Sequence, residues 1–506
     1  MTERRKQLGL VLVGLLVVLA SAWMLGYAIE PGIGLASDSY YYVSGADTLY
    51  DGEGFGRIAG NGEFKPTTHF PPVYSIVLLV TRLVSRETIS AAPALHQVLL
   101  LGFLALVGIL AYRLTSSYEL SVVCILLVGI APAMLSVFSW LLSEGMFLLV
   151  ILGVFVVMTQ YQRQRNPWWL ALAGLLTGAA YLTRYAGITL AAAIGLAILL
   201  SDDTKRWSKL GQYLRSSALL PVLWLIRNWR IAGVTTNRSL GWHPISLEKV
   251  RSGLSVMAGW ILPGQIPDIL RLGVLFLLAV VIILGFFVMW KRGRKRGTVE
   301  ISMLAFLLIY PAFLVISISI FDAATPLDER ILSPMFPIAL ILAIHLISTS
   351  WVQHKWPGWI KPLAVIGIVV FAGLTMVRGV RQASEMHLDG QGFSSARWRQ
   401  SALIEWLNAQ PHGTTLYSNE LDAIYLLTGH LVYQVPIKWD PVREQPREDY
   451  ENQLEAMRLR LEAEDGYLVL METLSNQQAF FPSETELSEG MESVLEASLG
   501  TVYAYP

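Results

Sequence analysis

Long apolar runs, nearly free of charge and about as long as a bilayer is thick, recur through most of this chain and limit its fold more than any other feature. The first, residues 8–28 (LGLVLVGLLVVLASAWMLGYA), follows Arg4, Arg5 and Lys6 and ends without a small-residue cleavage pattern. It reads as a retained transmembrane helix with a cytoplasmic N-terminus rather than a signal peptide. Further runs fall at about 93–112, 119–138, 141–160, 168–183, 186–200, 213–231, 272–290, 300–320, 332–350 and 360–378. Together they predict an α-helical polytopic membrane protein of about eleven transmembrane helices. A soluble protein of 506 residues that is 54% hydrophobic and only 15% charged would have too little polar surface to cover its core.

The net charge of zero is the sum of two opposite parts. Residues 381–506 carry 8 Lys+Arg against 20 Asp+Glu, so residues 1–380 carry 30 against 18. The division predicts a basic, apolar membrane domain, 1–380, and an acidic, soluble domain, 381–506. An acidic soluble part repels phosphate and the positive charge lies mostly in short loops, which argues against nucleic acid as a partner. The single cysteine, Cys124, lies inside an apolar run, so neither an internal disulfide nor a Cys-rich metal site is available.

The stretch 71–86 decides the topology, because its apolar centre is short and Arg82 interrupts it. If it lies along the interface, the cytoplasmic loops hold 17 Lys+Arg in roughly 54 residues, against about 12 in some 120 residues on the other side. If it spans, every later loop inverts and the basic run Lys291–Arg296 faces outward, against the positive-inside rule. The expectation is therefore a juxtamembrane helix at 71–86, with residues 29–92, 232–271 and the tail all extracytoplasmic. In the tail, β-like runs at Thr415–Tyr417, Leu431–Val435, Tyr467–Met471 and Thr501–Tyr505 alternate with helical patterns at about 395–409, 420–428 and 447–463, the pattern of a small α/β domain.

Ionisable residues gather at the outer ends of the expected spans. Asp38 opens the first outer loop, and the helical spacing of residues 42, 46, 49 and 50 predicts a helix over 39–50 that Gly52 would stop. A carboxylate between a span and an interfacial helix suits a general base acting on a headgroup-borne substrate, or a helix N-cap. Glu144, Arg184, Arg227, Asn228, Arg230, Asp328, Glu329 and Arg330 flank other spans. Such groups are costly at membrane depth unless they face a polar cavity or one another, and arginines sharing a cavity would hold phosphate. Pairs that brace the bundle are the structural alternative. His69, set before Pro71-Pro72, could donate or accept a proton or serve only the loop. His96 and His345 lie on apolar runs without zinc-ligand spacing.

These segments together resemble the GT-C superfamily of glycosyltransferases, in the prokaryotic group related to protein O-mannosyltransferases and lipid A aminoarabinose transferases. The resemblance rests on Asp38, Tyr42, Ala46, Leu49, Gly52, Gly54 and Phe55 of the first loop, followed by H-F-P-P-V-Y (His69–Tyr74), S-E-G-M-F (Ser143–Phe147) and T-R-Y-A-G (Thr183–Gly187). It continues in R-N-W-R-I-A-G (Arg227–Gly233) and D-E-R-I-L-S-P (Asp328–Pro334), and in the tail in Trp406-Leu407, Tyr417-Ser418-Asn419 and Tyr425–Gly429. It implies transfer of a sugar from a polyprenyl-phosphate donor to a glycan, lipid or protein acceptor at the outer face of the cell membrane. Asp38 would be the catalytic base, with Glu144 and His69 as further catalytic candidates. Tyr42, Arg184, Tyr185, Arg227, Asn228, Asp328 and Arg330 would bind substrate. Many relatives carry Asp-Glu where this chain has Asp38-Ser39, which leaves one carboxylate fewer for a metal. No cofactor and no required metal are expected. A secondary transporter or lipid flippase, or a membrane-anchored scaffold for envelope assembly, are the competing readings. The first predicts related halves with charges near the midplane, and no repeat is visible.

Overall fold

A computed structural model describes all residues except 1, 2, 86, 202, 237–239, 292–296, 322–324, 354–358, 441–444 and 473–480. The basic run Lys291–Arg296 that fixes the expected topology lies, from residue 292 on, outside the described residues. Helices run in the order α1 (Glu3–Ala28), α2 (Ser37–Tyr50), α3 (Val73–Val84), α4 (Thr88–Thr115), α5 (Tyr118–Gly129), α6 (Pro132–Phe138), α7 (Glu144–Gln164) and α8 (Pro167–Thr183). They continue as α9 (Ile188–Leu199), α10 (Arg206–Ala232), α11 (Leu247–Gly259), α12 (Asp268–Lys291), α13 (Thr298–Ile320), α14 (Glu329–Leu332), α15 (Met335–Gln353) and α16 (Ile360–Asp389).

Each of the expected apolar spans falls on helix, but not all on one unbroken helix. Among the described residues six helices are long and apolar enough to cross a bilayer: α1, α4, α7, α13 and the greater parts of α12 and α16. The run 119–138 becomes α5 and α6, bent by 63°. Pro132 causes the break, since it takes the first position of α6 and holds Ala131 in extended backbone. The run 186–200 is a 3₁₀ turn, Tyr185–Gly187, continued by α9, and the run 332–350 is split at Ser333-Pro334 between α14 and α15. The stretch 71–86 forms α3, whose 12 residues rise about 18 Å and fall short of a ~30 Å hydrocarbon core.

Contacts group the chain into two compact units, residues 1–28 with 94–385 and residues 29–93 with 386–506. The division at 380/381 read from composition follows charge and hydropathy, whereas packing places the first loop, residues 29–93, with the tail. In the first unit α8 lies against α10 through small residues. A Cβ at Gly174 would lie 2.8 Å from the Tyr213 carbonyl, and one at Gly178 would lie 2.8 Å from that of Ser217. Thr177, between them, meets the Tyr213 hydroxyl at 3.0 Å. Small residues let the backbones approach and the paired hydroxyls satisfy each other in an apolar setting.

The second unit is built on a five-stranded sheet. Its strands are β3 (Leu416–Ser418), β4 (Tyr433–Gln434), β7 (Tyr467–Met471), β8 (Glu492–Ala497) and β9 (Gly500–Ala504), in the order β4-β3-β7-β9-β8. β4, β3 and β7 are parallel, and the β8–β9 hairpin closes the sheet antiparallel. Two small ribbons lie apart, β1 (Gly56–Ile58) with β2 (Phe64–Pro66) and β5 (Trp439–Asp440) with β6 (Gln445–Pro446). Helices α17 (Ala396–Arg399), α18 (Ala402–Asn408), α19 (Leu421–Thr428), α20 (Tyr450–Ala463) and α21 (Glu484–Leu487) complete it. Leu454, Met457 and Leu461 on α20 bury against Leu468 and Leu470 of β7. The first loop belongs to this unit by direct bonds: Phe393 donates its backbone N–H to Leu35 at 2.9 Å, and the Ser394 hydroxyl donates to Ile33 at 2.7 Å.

Candidate active site

The first unit brings three of the expected residues onto one carboxylate. Glu144 is the first residue of α7 and is only 2% exposed. Arg184 Nη1 lies 2.6 Å from Glu144 Oε1, and Arg330 Nε lies 3.3 Å from the same oxygen. Arg184 Nη1 also donates to Ser143 Oγ at 3.2 Å.

Local sequence explains how the two arginines arrive there. Arg184 leaves α8 in extended backbone, which turns its side chain away from the helix axis. The T-R-Y-A-G turn then folds back so tightly that a Cβ on Gly187 would lie 2.7 Å from the Tyr181 Cα. Arg330 sits on the single turn of α14, capped by Asp328, whose Oδ1 accepts from the Ile331 N–H at 3.0 Å. Tyr310 anchors that turn by donating to the Ile331 carbonyl at 2.7 Å. Asp328 Oδ2 lies 3.8 Å from Arg330 Nε, so this residue both caps the helix and steadies the arginine.

The next residue along, Tyr185, connects this cluster to α10. Its hydroxyl accepts from Trp224 Nε1 at 3.3 Å, and the Arg227 guanidinium lies over the Trp224 ring at 4.9 Å. Arg227 Nη1 donates to Asn228 Oδ1 at 2.9 Å, and Asn228 Nδ2 donates to the Thr235 carbonyl at 2.8 Å. Arg230 is exposed. His96 meets the Phe138 carbonyl at 3.0 Å and His345 lies 3.7 Å from Glu300, so both histidines on apolar runs are paired within the bundle.

In the second unit Asp38 occupies the first turn of α2, where the unpaired N–H groups of the helix favour a carboxylate. The cap position is Ala36, not Asp38; Ser39 Oγ accepts from the Ala36 N–H at 3.0 Å. Helix α2 ends at Tyr50 and the chain turns at Gly52, whose φ of +80° suits glycine. Tyr42 is 4% exposed, edge-on to Tyr74 at 4.9 Å and to Phe70 at 5.3 Å, within an aromatic group that Tyr41 joins by stacking on Phe70. His69 lies edge-on to Phe70 at 5.0 Å.

Composition and spacing gave no sign of the charged residues that gather around Asp38. Arg57 bonds Tyr40 and its guanidinium lies 5.8 Å from the Tyr41 ring. Asp422, on α19, is bonded by Ser37 and lies within electrostatic reach of Arg57, Asp38 and Glu420. Burial, reinforced by Glu420, pushes Asp422 up to about 7, and burial pushes Glu420 up to about 7. Burial also pushes the Tyr41 hydroxyl up to about 12. Among the described residues no group of three or more His, Cys, Asp and Glu side chains is disposed to hold a metal ion.

These features define a polytopic helical membrane fold with a sheet-bearing second unit. No family profile matches the chain, and no curated protein matches it by sequence. Solved structures do match. The chain is similar to ArnT from Cupriavidus metallidurans bound to undecaprenyl phosphate, at 13% identity and a TM-score of 0.62 over 97% of each chain. It is also similar to apo ArnT, at 14% identity and a TM-score of 0.57, again over 97% of each. The archaeal oligosaccharyltransferase AglB from Archaeoglobus fulgidus, in complex with an inhibitory peptide and a dolichol-phosphate, matches at 12% identity and a TM-score of 0.57, over 90% of this chain and 69% of that one.

Proposed function

We propose that this protein is a membrane glycosyltransferase that moves a sugar from a polyprenyl-phosphate donor to an acceptor hydroxyl at the outer face of the membrane. The observation that carries the reading is the meeting of Arg184 and Arg330 on Glu144, two guanidiniums on one buried carboxylate in this fold. Glu144 is shared by the two guanidiniums, Asp328 also faces Arg330 at 3.8 Å, and the N-terminus of α7 adds positive potential. A phosphate group would meet planar N–H forks suited to it.

In this reading the arginines stabilise the negative charge that grows on the leaving phosphate as the glycosidic bond breaks. Asp38 takes the proton from the acceptor hydroxyl as its oxygen attacks the anomeric carbon. Glu144, engaged by both arginines, holds them in place rather than serving as the base. Arg227, braced by Trp224 and Asn228, supplies a further cation to the donor. A donor on a polyprenyl-phosphate carrier, the kind of lipid to which the ArnT structure is bound, reaches such a site without any nucleotide.

The test is mass-spectrometric analysis of products after incubating the purified chain with a panel of polyprenyl-phosphate sugars and membrane extract. Sugar transfer from at least one donor is expected, and no transfer from any of them would refute the reading. Orientation is tested by thiol labelling from outside intact cells, since Cys124 is buried and contributes no background. A cysteine at exposed Thr485 should react and one at exposed Thr204 should not. The reverse would place the tail in the cytoplasm.

A further inference from the structure

The last turns of α16 carry a polar stripe that the transfer reading leaves unused. Arg378, Arg381, Gln382 and Glu385 recur at i, i+3, i+4 and i+7, so they share one face of the helix. That face lines a cavity of about 270 Å³, bounded also by Pro132 at the α5–α6 break and by Gln265 in the loop after α11.

The walls of this cavity are held by short contacts. Arg378 Nη2 donates to the Gly259 carbonyl at 2.7 Å. Gln382 Nε2 donates to Ser136 Oγ at 2.5 Å, and Ser136 in turn donates to Glu329 Oε2 at 3.1 Å. Helix α16 comes so close to the α5–α6 break that a Cβ on Gly379 would lie 2.6 Å from the Ile130 carbonyl. By contrast, Arg381 pairs only at the surface, with Glu385 on its own helix at 2.8 Å, and is 75% exposed. A pair of that kind contributes roughly 0–1 kcal/mol, so the guanidinium can turn to a ligand at little cost.

Two guanidiniums and two amides face this space with one lining carboxylate, Glu385, which leaves it rich in donors. The volume falls just below the roughly 300–1,000 Å³ of pockets for drug-sized ligands, which fits a phosphate-bearing headgroup better than an oligosaccharide. We propose that this cavity is an oxyanion subsite that takes the phosphate of a membrane-borne headgroup, separate from the Arg184–Glu144–Arg330 cluster. The two are linked through consecutive residues of α14, since Glu329 closes the hydrogen-bond chain from Gln382 while Arg330 contacts Glu144. The inference does not depend on the transfer reading, because any lipid whose phosphate headgroup carries a net negative charge would meet the same groups, whereas the choline of a zwitterionic headgroup opposes them.

The experiment uses the full chain in phosphatidylcholine micelles doped with phosphatidylglycerol, read by native mass spectrometry, beside calorimetric titration with inorganic phosphate. The wild-type chain should retain phosphatidylglycerol in preference to phosphatidylcholine. Arg381→Glu should reduce that retention about ten-fold or more, and Arg381→Lys should reduce it less, because lysine keeps the charge without the fork. Arg381 is exposed, so its variants test the site without disturbing the fold; Arg378→Gln gives a second reading with its melting temperature measured alongside. Phosphate binding that depends on Arg381, with no preference for phosphatidylglycerol, would support the oxyanion site and assign it to a soluble phosphate. Equal retention of both lipids with no phosphate binding, or retention unchanged in both Arg381→Glu and Arg378→Gln, would overturn the proposal.

Discussion

Tyr425, on α19, donates a hydrogen bond to Asp47, on α2, at 3.2 Å although 378 residues separate them. The same carboxylate accepts from Thr88 Oγ1 at 2.6 Å and lies 3.5 Å from Arg82 Nε, and the Tyr40 and Tyr425 rings meet edge-on at 5.0 Å. Asp47 therefore ties together the loop helix that carries Asp38, the short helix α3 and the C-terminal part of the chain. Tyr425→Phe keeps the ring contact and removes only the hydroxyl, so it should cost about 1.5–3 kcal/mol as one hydrogen bond to a carboxylate is lost. The melting temperature and the rate of proteolysis in the first loop both report this. Unchanged values in Tyr425→Phe and in Asp47→Asn would remove the network from the account of this unit's stability.

Asp422 gives the same unit a pH dependence of definite sign. Its pKa in the folded chain is raised to about 7 by burial and by Glu420, well above that of an unfolded aspartate near 3.9. Between those values the folded chain holds a proton that the unfolded chain has lost, so stability falls as pH rises from about 4 to about 7 and levels off above. Glu420, raised to about 7, acts in the same direction. The melting temperature of the wild-type chain should decline over that window, and Asp422→Asn should flatten the decline. A rise across the window, or the same slope in Asp422→Asn, would count against the buried carboxylate as its source.

Asp38→Asn removes a proton acceptor at nearly constant shape. Turnover should drop by roughly the 10²–10⁴-fold typical of a lost general base, while donor binding and the melting temperature stay close to wild type. A variant with near wild-type turnover would shift the role to another carboxylate, and Asp422, which faces the same helix N-terminus, would be the next to test.

How much of this was legible in the sequence depends on the range of the interaction. Apolar runs locate helices because burial and bilayer thickness act on contiguous residues, and β7 falls on the residues read for it, Tyr467–Met471. Strand β8 was not legible, since its six residues lie mostly exposed at the sheet edge and show no buried alternation. The kink at Pro132 follows from local backbone chemistry, but whether the two helices count as one span does not. The charges at Glu144, Arg184 and Arg330 were visible as ionisable groups at helix ends, yet their meeting on one oxygen is a tertiary fact. Arg57 and Asp422 carried no signal at all, because nothing in the spacing of the chain relates residue 57 to residue 422. Glu329 stood in the D-E-R motif without a role until Ser136 and Gln382 appeared beside it.

The arginine pair offers the sharpest distinction between a donor site and a structural brace. Lysine at Arg184 or Arg330 keeps the charge near Glu144 but loses the planar fork, so polyprenyl-phosphate affinity should weaken by about 1–3 kcal/mol. Alanine should weaken it further. Glu144→Gln acts oppositely on two observables. It removes the carboxylate that the two guanidiniums share, leaving Asp328 beside Arg330, which should lower the melting temperature because a buried pair broken on one side costs roughly 3–5 kcal/mol. It also leaves both guanidiniums available to phosphate, so affinity for the lipid phosphate should hold or rise in the part of the sample that stays folded. A brace with no ligand would show the loss of stability alone. The measurement is lipid-phosphate affinity beside melting temperature for all five variants; affinity unchanged in both lysine and both alanine variants would assign Arg184 and Arg330 to the architecture of the bundle.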